Sequence, residues 1–482
     1  VKLKKLILDT PLRWVSEPQD LVVTGLSDHS STTLPGEMFF VQASHPKYAE
    51  EAVRCGARVV VSDAPLAVPL PGVAQLVSAD LQYIKVLLAQ RFYEDPSHRL
   101  FLCGVTGTNG KTTTTFFIKH LLESQGIITG VIGTLAYVIG STRLPATLTT
   151  PDVLTNYKLL HQMCLAGCQA AAMEVSSHAL MQGRVQGLHF DAGVFTNLTQ
   201  DHLDFHGTME AYAEAKQKLF LALSPESYAV VNEESAYTPK VLQGSPAKIF
   251  SYGLSPDADL CAQQPTFTPQ GTHFQLRYRD EKIPCFLPLV GAHNLFNALA
   301  AMEVCLLQGM SLKDVSTACA TFRGVPGRLE AIPNKLGVHI YVDYAHTPDA
   351  LEQVCRSLRA TTPGRLLVVF GAGGNRDKEK RPKMGAVVDR FAHFAYITAD
   401  NPRHEDPFHI CQEVARGFQS RHYLVEVDRR LAITQAIKMS QEGDIILIAG
   451  KGHEAVQVFA HQTVPFDDRL VVQDILSGVR CL

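Results

Sequence analysis

The strongest chemical signal in the chain is the decapeptide GVTGTNGKTT at positions 104–113. Its glycines let the backbone turn N–H groups toward an anion. Lys111 supplies a mobile positive charge, and Thr112 can place a hydroxyl on magnesium. The strict nucleotide P-loop puts its first glycine five positions before the second. That position is Val105, flanked by Gly104 and Gly107. The surroundings supply what the loop needs. The apolar run LFLCGVT before it predicts a strand. The stretch TTTTFFIKHLLES after it predicts a helix, with Phe117, Ile118, Leu121 and Leu122 on one face. That helix would aim its N-terminal dipole at a phosphate. Strand, glycine loop, Lys-Thr and helix point to a nucleotide, and leave NTPase, kinase and ligase open.

Two further groups could serve a metal. Glu174 ends the small-residue run AAAMEV, a predicted strand, and is followed by Ser176, Ser177 and His178. A carboxylate there can hold magnesium, which takes hard oxygen ligands and keeps waters; it can equally form a salt bridge or a helix N-terminal charge. The run TNLTQDHLDFH at 196–206 follows another predicted strand and crowds metal-capable side chains. It lacks the H-E-x-x-H pattern and zinc spacing with cysteines, so a zinc hydrolase is weakly supported. Lys216 is the oddest residue. The predicted helix over 209–223 has an apolar face of Tyr212, Leu219, Phe220 and Leu223, and Lys216 shares it. An ammonium there must be paired, or must lay its stem along the face.

Polar loops after predicted strands recur further on. FGAGGNRDKEKRPK at 370–383 carries five basic and two acidic residues, and reads as an anion site or as an exposed charge run. DYAHTP at 343–348 offers Asp343 as a ribose contact or as the N-cap of a helix over 350–358. DNPRHE at 400–405 holds Arg403, whose fork suits a carboxylate. GKGHE at 450–454 ends in Glu454, a partner for an ammonium.

The elements that position these residues fall into three regions. Residues 1–95 contain β-rich runs at 38–41 and 58–61, a turn at 65–71 and a helix over 79–93. Residues 96–328 hold the phosphate loop and strands ending near Val175 and Leu198. Residues 329–482 repeat the strand–helix style, with strands ending at Asp343, Phe370, Thr398, Val427 and Gly450. Ligands of such parallel sheets bind beyond the strand C-termini. A length of 482 residues requires several cores. The chain is 46% hydrophobic and 19% charged, with a net charge of −3, so no basic field recruits nucleic acid. Eleven scattered cysteines without a C-x-x-C pair read as reduced thiols of a cytoplasmic protein. No apolar run is long enough for a membrane span. The start, VKLKKLILDT, lacks a long apolar signal region and reads as mature chain.

Taken together, these motifs resemble the Mur ligases of bacterial cell-wall synthesis. TGTNGKT (106–112), EVSSH (174–178), TNL (196–198), DHLD (201–204), GAHNLFN (291–297), GRLE (327–330), DYAH (343–346) and GKGHE (450–454) occur in the family's order over nearly the whole chain. The branch it is most similar to adds the third peptide residue to UDP-N-acetylmuramoyl-L-alanyl-D-glutamate. The resemblance implies an α/β fold of three domains: a UDP-binding domain (1–95), a central P-loop ATPase-like parallel-sheet domain (96–328) and a Rossmann-like domain that binds the amino acid (329–482).

It also implies roles. Gly107, Thr108, Asn109, Gly110, Lys111, Thr112 and Thr113 would hold the phosphates of ATP. His293, Asn294 and Asn297 would face adenine, with Arg328 and Asp343 on the nucleotide from the hinge and last domain. Thr112, Glu174, His202 and Lys216 would serve magnesium, Lys216 as a carbamate formed with carbon dioxide. Thr149, Thr150, Ser176 and Arg184 would grip the nucleotide-peptide, and Ser30 the uridine. Here HSS at 29–31 departs from the family's usual Asp-Ser-Arg, so the uridine contacts should differ. Arg376, Asp400, Asn401, Arg403, Gly450 and Glu454 would select meso-diaminopimelate, although Asn375 replaces a common aspartate. Lysine lacks one carboxylate of diaminopimelate and would leave Arg403 unpaired. The implied reaction is ATP-dependent amide formation through an acyl-phosphate by a monomer. Addition of lysine or another amino acid, folylpolyglutamate synthesis and a non-catalytic nucleotide-binding protein are the alternatives.

Overall fold

The computed structural model describes residues 1–16, 21–361 and 364–478. Three main sheets organise them. The first has five strands in the order Arg13–Ser16, Ala74–Val77, Val59–Ser62, Met38–Val41, Leu26–Ser27; only the pairing with Arg13–Ser16 is antiparallel. Met38–Val41 and Val59–Ser62 are buried along their whole length, as parallel strands covered on both faces must be. The expected helix over 79–93 runs Leu81–Phe92. It begins where the Asp80 carboxylate accepts the Tyr83 N–H.

The central sheet has eleven strands. Phe101–Thr106 lies in its interior, between Ala170–Glu174 and Ala192–Phe195, parallel to both. The sequence signals for these three strands were clear. The strand expected to reach Leu198 stops at Phe195, because Thr196 and Asn197 leave the sheet to bond the phosphate loop. The antiparallel extension of Leu260–Thr268, Gly271–Tyr278 and Glu281–Leu287 was not foreseen. The third sheet has the order Glu330–Ile332, His339–Asp343, Ile445–Ala449, Leu366–Phe370, Phe394–Ile397, Tyr423–Val425, with only the first pairing antiparallel.

The first two sheets share an apolar core. Ile84 and Leu88 of the helix Leu81–Phe92 belong to one buried cluster with Tyr157 and Leu160 of the helix Val153–Leu165. Gln82 and Gln90 add hydrogen bonds to the Gly183 and Gly187 carbonyls, 3.1 Å each. The third sheet has separate cores on its two faces and follows the 324–328 turn. Among the described residues, no helix is long and apolar enough to cross a membrane.

Candidate active site

The three neighbouring strands of the central sheet place their C-terminal ends side by side. Val105 is paired with Glu174, and Thr106 with Phe195. This register brings the phosphate loop, the Glu174 carboxylate and the 196–199 segment together at one sheet edge.

The loop is held from the side. Asn197 accepts the Thr108 N–H through its carbonyl (2.9 Å) and the Asn109 N–H through its side chain (3.0 Å). Thr196 Oγ1 donates to the Asn109 carbonyl at 2.6 Å. Gly107 and Gly110 have positive φ, and their Cα atoms face neighbours that leave no room for a side chain. A Cβ on Gly107 would meet Thr196 Oγ1 at 1.8 Å, and one on Gly110 would meet Asn297 Oδ1 at 2.2 Å. Lys111 Nζ donates to the Gly107 and Thr108 carbonyls, 2.8 Å each. Burial lowers the Lys111 pKa, while Glu174 and Asp201 oppose that shift. Thr112 and Thr113 begin the buried face of the helix Lys111–Ser124.

Glu174 is buried. Its oxygens accept the N–H (2.8 Å) and the hydroxyl (3.1 Å) of Thr134. Thr134 also bonds Thr149 at 3.1 Å. Thr150 Oγ1 donates to the Glu174 carbonyl (2.8 Å) and accepts the Ser176 N–H (3.1 Å), and Arg184 donates to the Thr150 carbonyl (2.9 Å). Thr149, Thr150, Ser176 and Arg184 thus form one network around the strand end that carries Glu174. Thr134 was missed by sequence reasoning. Its signal was Gly133, which follows the strand Thr129–Ile132 and must be glycine because a Cβ there would lie 2.3 Å from Glu174 Oε1.

Lys216 lies on the buried face expected of it, in the helix Met209–Leu221, with Nζ 4.4 Å from the Tyr212 ring centre. It forms no ion pair among the described residues. Burial holds its pKa well below the usual lysine value, and the like charge of Lys111 adds to this against the pull of Asp201. Tyr212 accepts a hydrogen bond from Thr108 at 3.3 Å, which ties this helix to the phosphate loop. His202 sits at φ +53°, about half exposed, and packs edge-on to His178 with ring centres 4.9 Å apart. Among the described residues, the His and carboxylate groups close enough together to hold a cation are Asp28, His29 and Asp152; Glu174 and His202 belong to no such group.

Asn294 donates to the Val290 carbonyl (2.9 Å), Asn297 lies beside it, and His293 meets Ser357 of the last region at 3.4 Å. Burial lowers the His293 pKa to about 4. Arg328 reaches Thr112 Oγ1 at 3.3 Å and stacks on Tyr344 at 4.7 Å, joining hinge, phosphate loop and last region. Asp343 does not cap the following helix. It accepts the Leu329 and Ala345 N–H groups at 2.7 Å each and thereby fixes the hinge; burial raises its pKa. Thr347 takes the cap role toward Ala350, and the helix runs Pro348–Thr361. Gly327 presses on the 450–454 loop. A Cβ there would lie 2.1 Å from the His453 nitrogen, and one on Gly452 would lie 2.7 Å from the Gly327 carbonyl.

In the last region, Asn401 donates to Glu454 Oε2 at 2.7 Å. Lys451, fully buried and not foreseen, donates to Asn401 (3.2 Å), Glu454 (3.3 Å) and the Val456 carbonyl (2.7 Å), with Asp400 at 3.8 Å. The ammonium next to Glu454 is therefore the chain's own, and it shares one carboxylate oxygen with Asn401. Burial raises the Asp400 pKa against Arg429 and Lys451. Gly450 packs against Asp400, at φ +115°. Arg403, at φ +52°, donates to the Gly374 carbonyl at 2.7 Å, which brings the 400–405 and 370–376 loops together. Arg376 is exposed beside them. The basic run is not a uniform anion patch. Arg381 is buried, paired with both oxygens of Glu405 (2.9 Å each) and with Glu413 (2.6 Å). Asn375, the departure from the usual aspartate, accepts the His404 N–H at 3.0 Å.

Ser30 lies in a cleft of about 550 Å³ lined by residues such as His29, Phe40, His45, Tyr48 and Lys85. Its hydroxyl donates to Glu51 at 2.6 Å, and Lys85 pairs with Asp28 at 2.8 Å.

Known proteins resemble this chain along its length. The Mur ligase middle domain matches residues 105–305, and the Mur ligase glutamate ligase domain matches residues 327–452. The chain is 40% identical over 485 residues to the UDP-N-acetylmuramoyl-L-alanyl-D-glutamate–2,6-diaminopimelate ligase of Chlamydia trachomatis serovar D, covering 99% of each chain. It is 41% identical to the ligase of the same name from Geobacillus kaustophilus, covering 98% of this chain and 99% of that one. A solved structure of a ligase of that name superposes with a TM-score of 0.72 at 32% identity, covering both chains fully. MurF from Acinetobacter baumannii shares the fold at 19% identity, with a TM-score of 0.69 and 98% of each chain covered. With the phosphate loop and Glu174 gathered at one sheet edge and relatives matched along its full length, the chain belongs to the Mur ligase family.

Proposed function

We propose that this protein adds meso-diaminopimelate to UDP-N-acetylmuramoyl-L-alanyl-D-glutamate, using ATP and releasing ADP and phosphate. The observation that carries the reading is the single sheet edge where the Gly107–Thr113 loop, Glu174 and the Thr149–Thr150–Ser176–Arg184 network converge. A triphosphate and a substrate carboxylate brought there would meet.

Residues 1–95 bind the UDP moiety through the cleft that contains Ser30. Residues 96–328 bind ATP, and residues 329–482 bind the amino acid. His293, Asn294 and Asn297 border the adenine, and Arg328 and Asp343 hold the hinge side. The D-glutamyl carboxylate attacks the γ-phosphorus, an O–P bond forms, the bridging P–O bond breaks and ADP leaves. The free amine of diaminopimelate then attacks the acyl carbon, and phosphate departs from the tetrahedral intermediate with its C–O bond electrons. Lys111 lies where it can leave the loop carbonyls and follow the phosphoryl charge. Thr112, Glu174, His202 and Lys216, the last as a carbamate, would hold magnesium, which would supply further charge compensation when bound. The depressed pKa of Lys216 supports this, since the neutral amine is the form that takes up carbon dioxide.

Arg376 and Arg403 suit the carboxylates of the incoming amino acid. Asp400, Asn401, Gly450 and Glu454 frame its distal end, with Glu454 oriented by Lys451. Ten described cysteines, all unpaired, support a cytoplasmic setting. The test is a panel of amino acids incubated with the UDP-muramoyl-dipeptide, ATP and magnesium, with product mass as the readout. A diaminopimelate adduct with ADP and phosphate is expected. AMP and pyrophosphate, or preference for lysine, would overturn the proposal.

A further inference from the structure

One carboxylate crosses between the last region and the phosphate loop. Asp349 lies in the first turn of the helix Pro348–Thr361. Its Oδ2 accepts Asn109 Nδ2 at 3.2 Å and Thr199 Oγ1 at 2.9 Å. Asn109 belongs to the phosphate loop. Thr199 belongs to the segment after the strand Ala192–Phe195, and its N–H also bonds Thr108 Oγ1 at 3.0 Å. A single oxygen thus reads two loops at once. Both bonds form only when the two loops are in register with each other and the last region is docked on them.

Other links across this junction lie elsewhere: Tyr341 to the Pro269 carbonyl at 2.9 Å, and His293 to Ser357 at 3.4 Å. Neither touches the loop backbone that would cradle a phosphate. Arg328 does reach Thr112, but from the connector that precedes the third sheet. Asp349 grips from the last region itself.

We infer that Asp349 is a positioning residue that latches the last region over the phosphate loop, and so sets how well the acyl-phosphate is delivered to the amine and not to water. The inference rests on the ligase reading above. Without the latch, the first half-reaction proceeds at an open site. Water then competes for the acyl-phosphate, and ADP is released without an amide.

The test compares the full-length wild type with Asp349→Ala and Asp349→Asn, measuring ADP and amide in the same samples and small-angle scattering with and without ADP. Hydrogen bonds to a charged acceptor are strong enough that Asp349→Ala should lower the amide-to-ADP ratio about tenfold. Its scattering should also shift to a more extended form. Asp349→Asn keeps an oxygen acceptor and should restore much of both. An unchanged ratio and unchanged scattering in a folded Asp349→Ala would overturn the latch. Loss of folding in that variant would leave Thr199→Val, which removes one donor to the carboxylate, to decide, and a wild-type ratio with wild-type scattering there would also overturn it. Failure of the wild type to form any amide would instead strike the ligase reading.

Discussion

Replacing Glu303 by Met should stabilise the central domain, and by an amount that depends on pH. Glu303 lies in the helix Ala292–Leu307, fully buried, and neither carboxyl oxygen has a hydrogen-bond partner. Burial, helped by Asp259 and opposed by Arg279, raises its pKa from 4.5 to about 8. The folded protein therefore carries a proton at neutral pH that the unfolded chain has released. At pH 7 the difference between pH and the unfolded value corresponds to about 3 kcal/mol of lost stability, at about 1.4 kcal/mol per pH unit. The sign follows from the raised pKa. The folded state is not penalised below the unfolded value near 4.5, loses stability steadily as pH rises, and levels off above about 8. Glu303→Met should match or exceed wild-type stability at pH 5 and gain on it by about 3 kcal/mol at pH 7. Hydrogen exchange over the helix Ala292–Leu307, followed by mass spectrometry at pH 5 to 8 and corrected for intrinsic rates, measures this locally. A difference between variant and wild type that does not change with pH would refute the reasoning.

Other outcomes follow from the site. Arg403→Ala should raise the KM for diaminopimelate at least tenfold and leave ATP affinity unchanged, as read by initial rates and nucleotide titration. Lys216→Met should abolish most ligation while raising thermal stability or leaving it unchanged, because a buried amine next to Lys111 is replaced by an apolar side chain of similar length. Arg381→Met should destabilise the last domain by roughly 3 kcal/mol, since Glu405 and Glu413 lose a shared buried partner. Arg381 also holds Glu405 down at about 2. Stability linked to Glu405 is present above the ordinary carboxylate value and lost as pH falls toward 2. The variant should lack that acid limb in a pH series of melting curves.

Much of this site could be read from residue order because the chemistry follows strand ends. The phosphate loop, Glu174 and the 196–206 run each come directly after an apolar strand, and the sheet sets those three strands next to each other. Lys216 could be picked out because helical spacing placed a charge on an apolar face. What the sequence hid was pairing at a distance. Thr134, Lys451 and Arg381 act through partners 40, 50 and 24 residues away. No local pattern separates a buried Arg381 from the exposed Arg376, since both lie in the same basic run. The continuous core between the first two sheets was hidden for the same reason: the helices Leu81–Phe92 and Val153–Leu165 meet only in the fold.

The contact between Gly327 and Gly452 has a bearing on how such enzymes can be recombined. Each residue occupies space that a methyl group on the other would claim. The connector and the pocket loop are thus a matched pair, although more than a hundred positions separate them in the chain. A chimera that borrows its final module from a relative with a different amino-acid preference would have to import the connector too. A junction placed after Gly327 would join surfaces that were never fitted to one another.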